Sequence, residues 1–364
     1  MNILLIGYKG LKSGGPAAVM RNIKKNLEIK YSDNIDILDP ATISFREIIL
    51  LFFSNKIKKK NFIDIDLIHL HELWNIKVML IMIKSSFLGI PNIMTFHGVL
   101  NHWSMQKKKF IKIIFLKIFS KYIFKLSNGL HFLTQQEYYE AANYSKYIKN
   151  KAFILQNGVK LSSKINSNKY DTKKKLNLLY LARIHPKKGI QDLISVFNLI
   201  KKKHNNIYLT IVGPKSEFLD MLKNKVSKLK LEKYIFFEKP VYEESEKRKY
   251  YIKSDFFILP SYDEADSMAI KESIGHGLPV IITKECKFED VEKHNIGFLI
   301  NHNINGIYKI LIKTFKTKNY KKKIMSKNCI EFSQKNFDIN LVLSNYRNLL
   351  LEIISGAKYS NNWK

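Results

Sequence analysis

The run Phe256-Phe-Ile-Leu-Pro260-Ser-Tyr-Asp-Glu264-Ala-Asp266-Ser267-Met268-Ala269-Ile-Lys-Glu272-Ser-Ile-Gly275-His-Gly277-Leu-Pro279-Val-Ile-Ile282 decides the architecture of this chain. Its first four apolar residues, stopped by Pro260, read as a buried strand. A short acidic loop leads into a helix whose cap falls near Asp266 or Ser267. Gly275 and Gly277 close that helix, and Pro279-Val-Ile-Ile282 opens the next strand. Glu264 and Glu272, eight residues apart, therefore straddle a strand–loop–helix junction where backbone N–H groups can meet an anion.

Outward from this unit the same alternation fills the chain. Strands are expected at 2–6, 35–38, 67–70, 92–96, 129–133 and 153–155, with helical stretches such as 17–27, 78–86 and 106–126 between them. A second series follows at 176–181, 208–212, 234–237, 256–259, 280–283 and 297–300. Two βα series of this size predict an α/β protein of two doubly wound parallel sheets with a crevice between them. The first domain is expected over 1–165 and the second over 166–337, with a Ser/Asn/Lys-rich linker at 161–172. A last apolar-periodic segment at 338–356 predicts a closing helix, and the tail beyond Ser355 is polar.

Composition narrows the class. A chain of 364 residues is long enough for two cores, and 46% hydrophobic content with periodicity throughout excludes a disordered protein. Cys286 and Cys329 show no metal-ligand spacing, and two cysteines in a chain of this size point to a reducing compartment. The start, Met1-Asn-Ile-Leu-Leu-Ile-Gly7, lacks a basic region and reads as a first strand rather than a signal peptide. No apolar run reaches the ~18 residues that span a membrane, and 48–53 and 78–83 have the length of buried elements. The formal charge is +31, yet only Arg21, Arg46, Arg183, Arg248 and Arg347 are arginines. Such a field favours anionic partners, phosphorylated substrates and anionic lipid among them. No module that concentrates Arg and aromatics for nucleic acid is present, so nucleic acid is not an expected partner.

Two further groups carry chemistry. Arg183-Ile-His-Pro-Lys187-Lys188-Gly189 follows the first strand of the second domain and precedes a helix. A guanidinium offers a fixed fork for phosphate oxygens and a nearby ammonium adds a point charge, a pair suited to a departing diphosphate. A basic turn capping a strand fits the same residues. In the first domain, Ser13-Gly14-Gly15-Pro16 precedes a helix, and Thr95-Phe96-His97-Gly98 ends the fourth strand, where α/β folds place ligand-binding residues. Glu264 and Glu272 get no support as a hydrolase pair. In a continuous helix they would stand ~12 Å apart, whereas paired glycosidase carboxylates stand ~5–9.5 Å apart. Carboxylates also accept hydrogen bonds from sugar and ribose hydroxyls.

Taken in order, the Gly-rich loop, His97-Gly98, Arg183-x4-Lys188-Gly189, Glu264-x7-Glu272 and the closing helix resemble the retaining glycosyltransferases of the GT-B fold, specifically their large family 4. The resemblance covers nearly the whole chain. It implies two Rossmann-like domains facing a cleft, with the last helix crossing back to the first domain. It implies that Glu264 contacts the transferred sugar, Glu272 the ribose, and Arg183 and Lys188 the donor phosphates. Amides around Asp266, Ser267, Met268 and Ala269 would face the diphosphate, and Gly14 and Gly15 would face the donor from the first domain. His97 matches the family's first-domain active-site histidine. His71, Glu72 and Trp74 are candidates for the acceptor side. Where the family often has Gly-Phe-Gly after the first glutamate, this chain has Ala265-Asp266-Ser267, which leaves the donor sugar open. Gln156-Asn157-Gly158-Val159 resembles the family's Asn-Gly-Val turn, with a structural role.

The function so implied is retaining, metal-independent transfer, most simply of a hexose, from a UDP- or GDP-linked sugar, with no cofactor beyond that co-substrate. From Leu73 to Gln136 there are nine lysines and no acid, and 106–126 interleaves seven lysines with apolar residues. Lys117, Lys121 and Lys125 share one helical face, which suits an anionic membrane surface and a lipid-linked saccharide acceptor of lipopolysaccharide, O-antigen or capsule synthesis. A buried helix with a solvated lysine edge fits the same stretch, and both can hold. The expected location is cytoplasmic, peripheral on the inner face of the cell membrane. Two alternatives stand beside this reading: a nucleotide-sugar epimerase of the same fold, and a basic membrane- or nucleic-acid-binding protein without catalysis.

Overall fold

The computed structural model describes residues 1–7, 15–58, 60–161 and 175–356. The expectations for Ser13 and Gly14, and for nearly all of the linker at 161–172, lie outside the described residues. The chain divides into two units, Met1–Gly158 with the segment from Asn340 onward, and Val159–Ile339.

The first unit carries β1 (Asn2–Ile6), β2 (Asn34–Leu38), a two-stranded hairpin of β3 (Lys56–Ile57) and β4 (Lys60–Asn61), then β5 (Leu67–Leu70), β6 (Asn92–Thr95), β7 (Gly129–Phe132) and β8 (Ala152–Ile154). Six of them form one sheet in the order β2-β1-β5-β6-β7-β8, with every pairing parallel. All four residues of β5, β6 and β7 are buried, as helices on both faces of a parallel sheet require. The closing helix, Ile339–Ile354, belongs to this unit through most of its length. It is fastened there by Tyr346 Oη, 2.5 Å from His69 Nδ1 on β5, and by Arg347 Nε, 3.1 Å from Asp33 Oδ2.

The second unit holds β9 (Leu176–Leu181), β10 (Ile207–Val212), β11 (Ile235–Glu238), β12 (Phe256–Leu259), β13 (Val280–Thr283) and β14 (Gly297–Ile300). They form a parallel sheet in the order β11-β10-β9-β12-β13-β14. Its core joins both sheet faces through side chains such as Tyr180, Phe197, Tyr251, Phe256 and Phe257, all essentially buried. In each sheet the strand order reverses once, at β1/β5 in the first unit and at β9/β12 in the second. Loops leaving the carboxyl ends of those strands diverge and leave room for a ligand.

Two readings of the sequence need correction. The stretch 48–53 is the middle of a helix, Phe45–Ser54, started by a Ser44/Glu47 capping box, and only Ile48 and Leu51 of that helix are buried. Phe45, Ile49, Leu50 and Phe53 face solvent, Phe53 at 82% exposure, because apolar residues encircle a helix that has only one neighbour-facing stripe. The helix expected over 106–126 is two: His102–Gln106, then Lys109–Leu126, separated by Lys108 in the left-handed region at φ 56°. The helical stretch expected over Val78–Ser86 lies within a longer helix, Ile76–Phe87, which packs against both Phe45–Ser54 and Lys109–Leu126.

Candidate active site

In the second unit the chemistry gathers at the strand-order reversal. Arg183 lies just beyond β9, and Lys188 ends a 3-10 turn, Pro186–Lys188, started by Pro186 and capped by His185, whose Nδ1 accepts from the Lys187 N–H at 3.1 Å. Glu264 lies just beyond β12. The Lys188 ammonium reaches Glu264 Oε1 at 2.5 Å, with both side chains largely buried. Gly189 makes this contact possible. A Cβ there would stand 1.8 Å from the carbonyl oxygen of Pro260 at the end of β12, and its φ is +68°. The two loops are stitched further by Tyr262 N–H and Ser261 Oγ, both donating to the Lys187 carbonyl at 2.8 and 3.1 Å. Lys187 and Lys287 grip Asp263 at 2.7 and 3.1 Å.

Arg183 is exposed and enters no ion pair among the described residues, whereas Lys188 is committed to Glu264. Tyr180, fully buried beneath them, donates to the Arg183 carbonyl at 3.2 Å. Burial, and next the Glu264 carboxylate, push the Tyr180 hydroxyl well above its usual range, while Arg183 opposes them. It stays a neutral donor under the loop.

Glu264 is followed by the helix Met268–Gly275, whose cap residue is Ser267. Ser267 makes no side-chain cap bond, so the helix start lacks the side-chain oxygen that usually covers a first turn. An anion fits there. Asp266 does not point its carboxylate outward. It forms a buried ion pair with Lys271 at 2.6 Å, and that pair fixes where the helix begins. At the other end of the helix, Glu272 is held from a neighbouring helix, Glu244–Lys253: Lys247 Nζ lies 2.8 Å from its Oε1 and Tyr251 Oη donates to its Oε2 at 2.9 Å.

In the first unit the candidates form a histidine cluster. His97 follows β6 with φ 51°, an uncommon conformation for a side chain, and Gly98 follows at φ 75°. The buried carboxylate of Glu137 accepts from the Gly98 N–H and, at 2.7 Å, from the Leu133 N–H, which pins the turn. His71 Nδ1 lies 2.8 Å from His97 Nε2, the two rings stack with centroids 5.1 Å apart, and the His69 ring lies tilted against His71 at 4.1 Å. Beneath them runs a chain from Tyr346 Oη to His69, then Thr95 Oγ1, then His131, ending on the Leu155 carbonyl. One proton per imidazole fixes every direction in it. His131 Nε2–H donates to Leu155, the Thr95 hydroxyl to His131, His69 Nε2–H to Thr95, and Tyr346 to His69. Burial, then the neighbouring His131, lowers His97 to about 3, and burial holds His69 and His71 well below the usual imidazole range. Trp74 stands edge-on to Phe115, 5.5 Å between centroids, with the Lys112 ammonium over its ring, and Glu72 accepts from Asn75 Nδ2 at 3.0 Å. Gly15 opens the helix Gly15–Tyr31, with open space where a Cβ would stand.

Sequence reasoning passed over Lys247, Tyr251 and Glu137. A lysine in a lysine-rich helix and a tyrosine in a chain with 19 of them carry no local signal, and only the packing of two helices joins them to Glu272. The Asn157-Gly158-Val159 turn does carry structure. Val159 pairs with Asp338 and takes the Phe337 carbonyl at 2.9 Å.

Two parallel six-stranded sheets, each with one reversal of strand order, give this chain the architecture of the GT-B fold. Residues 162–333 match the family described as glycosyl transferases group 1. The crystal structure of Anabaena Alr3699/HepE in complex with UDP superposes with a TM-score of 0.74 at 15% identity, covering 97% of this chain and 100% of that one. WaaG, a glycosyltransferase involved in lipopolysaccharide biosynthesis, superposes with a TM-score of 0.71 at 15% identity over 96% of this chain and 99% of its own. At these identities the likeness is one of fold. In sequence, 104 residues are 32% identical to the alpha-monoglucosyldiacylglycerol synthase of Streptococcus pneumoniae, which is 29% of this chain. The matched stretch spans 23% of that relative's length. Among the described residues no helix is long and apolar enough to cross a membrane.

Proposed function

We propose that this chain transfers a sugar from a nucleoside-diphosphate sugar to a saccharide acceptor carried on a lipid, with retention at the anomeric carbon. The observation that carries the reading is the Lys188–Glu264 pair at the β9/β12 reversal, flanked by exposed Arg183 and the uncapped start of the helix Met268–Gly275. The diphosphate fits on Arg183, Lys188 and the Met268 and Ala269 amides. Glu264 accepts from hydroxyls of the transferred sugar, and Glu272 from those of the ribose. As the bond from the anomeric carbon to the phosphate oxygen breaks, negative charge grows on the diphosphate, where two cations and two N–H groups meet it. The acceptor hydroxyl attacks from the same face. Its proton passes to the departing phosphate oxygen, so no protein nucleophile is needed and the second product is the nucleoside diphosphate. The role proposed for His97, neutral and beside His71, is hydrogen bonding to a saccharide hydroxyl. UDP bound in the Anabaena structure supports a nucleotide-sugar donor.

The lipid part of the reading rests on the surface of the first unit. Phe110, Ile111, Ile114, Ile118 and Tyr122 of the helix Lys109–Leu126 are exposed beside Lys117 and Lys121, with no acid in that helix. Phe45, Ile49, Leu50 and Phe53 add a second exposed apolar face. Apolar side chains flanked by lysines suit an anionic leaflet, as on the inner face of a cell membrane. The named activity of the pneumococcal relative, on a diacylglycerol, and the lipopolysaccharide role of WaaG are in keeping with such an acceptor.

The test is a panel of UDP-, GDP- and ADP-sugars offered with lipid-linked saccharides in the presence of EDTA. Transfer with retained anomeric configuration supports the reading. Release of an altered sugar nucleotide without any acceptor would replace it by epimerisation.

A further inference from the structure

Glu272 is a surface-near carboxylate with two partners on another element. Lys247 and Tyr251 are four residues apart on the helix Glu244–Lys253 and therefore share one face. They take one carboxylate oxygen each, Lys247 Nζ on Oε1 at 2.8 Å and Tyr251 Oη on Oε2 at 2.9 Å. The Tyr251 ring is fully buried and stacks on His276 with centroids 4.9 Å apart. His276, the residue that ends the helix bearing Glu272, is tied back by Nε2 to Glu244 Oε1 at 2.9 Å. Two helices are thus locked at both a carboxylate and an imidazole, and Glu272 has no freedom to turn.

We infer that Lys247 and Tyr251 are positioning residues that set the ribose selectivity of the donor site by aiming Glu272. The inference rests on the reading of Glu272 as the ribose-binding carboxylate. Each carboxylate oxygen has two lone-pair sites, and the helix Glu244–Lys253 occupies one on each. The remaining site on each oxygen accepts a hydroxyl, and the spacing of the two oxygens matches vicinal hydroxyls on a five-membered ring. Tyr251 keeps its proton. Burial first, and then the carboxylate of Glu272, push its hydroxyl well above its usual range, so it remains a donor. A nucleotide lacking one ribose hydroxyl leaves a fixed, charged acceptor unsatisfied, which is the kind of loss that discriminates strongly.

The experiment compares binding of UDP, GDP and ADP to the full chain by calorimetry, then takes the tightest of them with its 2′-deoxy and 3′-deoxy forms. Wild type is expected to favour the ribonucleotide over at least one deoxy form on the order of ten-fold, the scale of a hydrogen bond to a charged group. Tyr251→Phe and Lys247→Met should each weaken the ribonucleotide several-fold, leave the deoxy form nearly unchanged, and so collapse the ratio. The deoxy form is the internal control, because general damage to the fold weakens both ligands alike. If Glu272→Gln collapses the ratio and the two variants keep it, the positioning role is wrong. If wild type shows no preference, or Glu272→Gln leaves it intact, the ribose reading of Glu272 fails instead.

Discussion

The Lys188 ammonium sits 2.5 Å from Glu264 Oε1, and the two residues come from loops that leave adjacent strands, β9 and β12. Each is a donor-site candidate, and each is the other's counter-ion while the donor is absent. Two consequences follow from that one contact. The pair keeps two charges compensated at a largely buried position, and it holds the loop of Arg183 in register with the helix start at Met268. Lys188→Ala or Glu264→Ala alone leaves one buried charge without its partner, which costs about 3–5 kcal/mol. The double variant Lys188→Met with Glu264→Gln should recover much of that loss in urea unfolding, while remaining inactive. Additive destabilisation by the two changes would show that the pair is not coupled.

Arg183 is expected to behave in the opposite way. Its guanidinium is exposed, so Arg183→Ala should leave the melting temperature within a degree or two of wild type. Loss of one charge-stabilising donor raises the barrier by ~2.7–4 kcal/mol, so kcat should fall about 100- to 1000-fold. Steady-state transfer at saturating donor checks it, and unchanged kinetics would remove Arg183 from the site.

Gly189→Ala tests the loop junction itself. A Cβ at that position would overlap the Pro260 carbonyl oxygen at 1.8 Å, with φ at +68°. Strain of this kind costs at least about 1–3 kcal/mol, and the loops of Lys188 and Glu264 must separate to relieve it. The expected result is both a lower midpoint of denaturation and weaker nucleotide binding. A variant with normal binding would mean that the loop spacing is not required.

The histidine cluster makes a pH statement. His97 is lowered to about 3, and His69 and His71 are lowered too, all with burial as the first cause. Below about 6.5 the unfolded chain binds protons at these sites while the folded chain resists them, at His97 down to about 3. Folding stability is therefore complete above pH 6.5 and falls as the pH drops towards 3, by up to about 1.4 kcal/mol per pH unit for each such proton. Denaturant titrations between pH 4 and 8 should show this slope, and His97→Asn should reduce it by about one proton. An unchanged slope in His97→Asn would place the linkage elsewhere.

The lysine-bearing helix predicts salt-sensitive binding to lipid. Vesicles containing phosphatidylglycerol should retain the protein at low salt and release it as salt rises, because charges are screened beyond ~8 Å at physiological ionic strength. Replacing Lys117, Lys121 and Lys125 by Glu should abolish that retention with nucleotide affinity unchanged. Replacing Phe53 and Phe110, 82% and 76% exposed, by Ser should weaken it without altering its salt dependence. Failure of wild type to sediment with such vesicles would end the docking proposal and leave sugar transfer untouched.

The sequence by itself determined the strands and their order along the chain. Parallel strands buried on both faces are continuous apolar runs, and Pro260, Gly275 and Gly277 punctuate them, so Phe256–Leu259 and Val280–Thr283 are legible without coordinates. It also supplied Arg183, Lys188, Glu264 and Glu272, because a strand end followed by a helix start restricts where chemistry can lie. The tertiary structure decided what those residues touch. That Lys188 pairs with Glu264, that Asp266 turns inward to Lys271, and that Lys247 and Tyr251 hold Glu272 depend on neighbours 5 to 76 positions away in the chain. It also decided that the apolar residues around Leu51 face outward, since burial depends on how many neighbours a helix has. Periodicity records which face of an element is apolar, but only packing supplies the partner that covers it or leaves it bare.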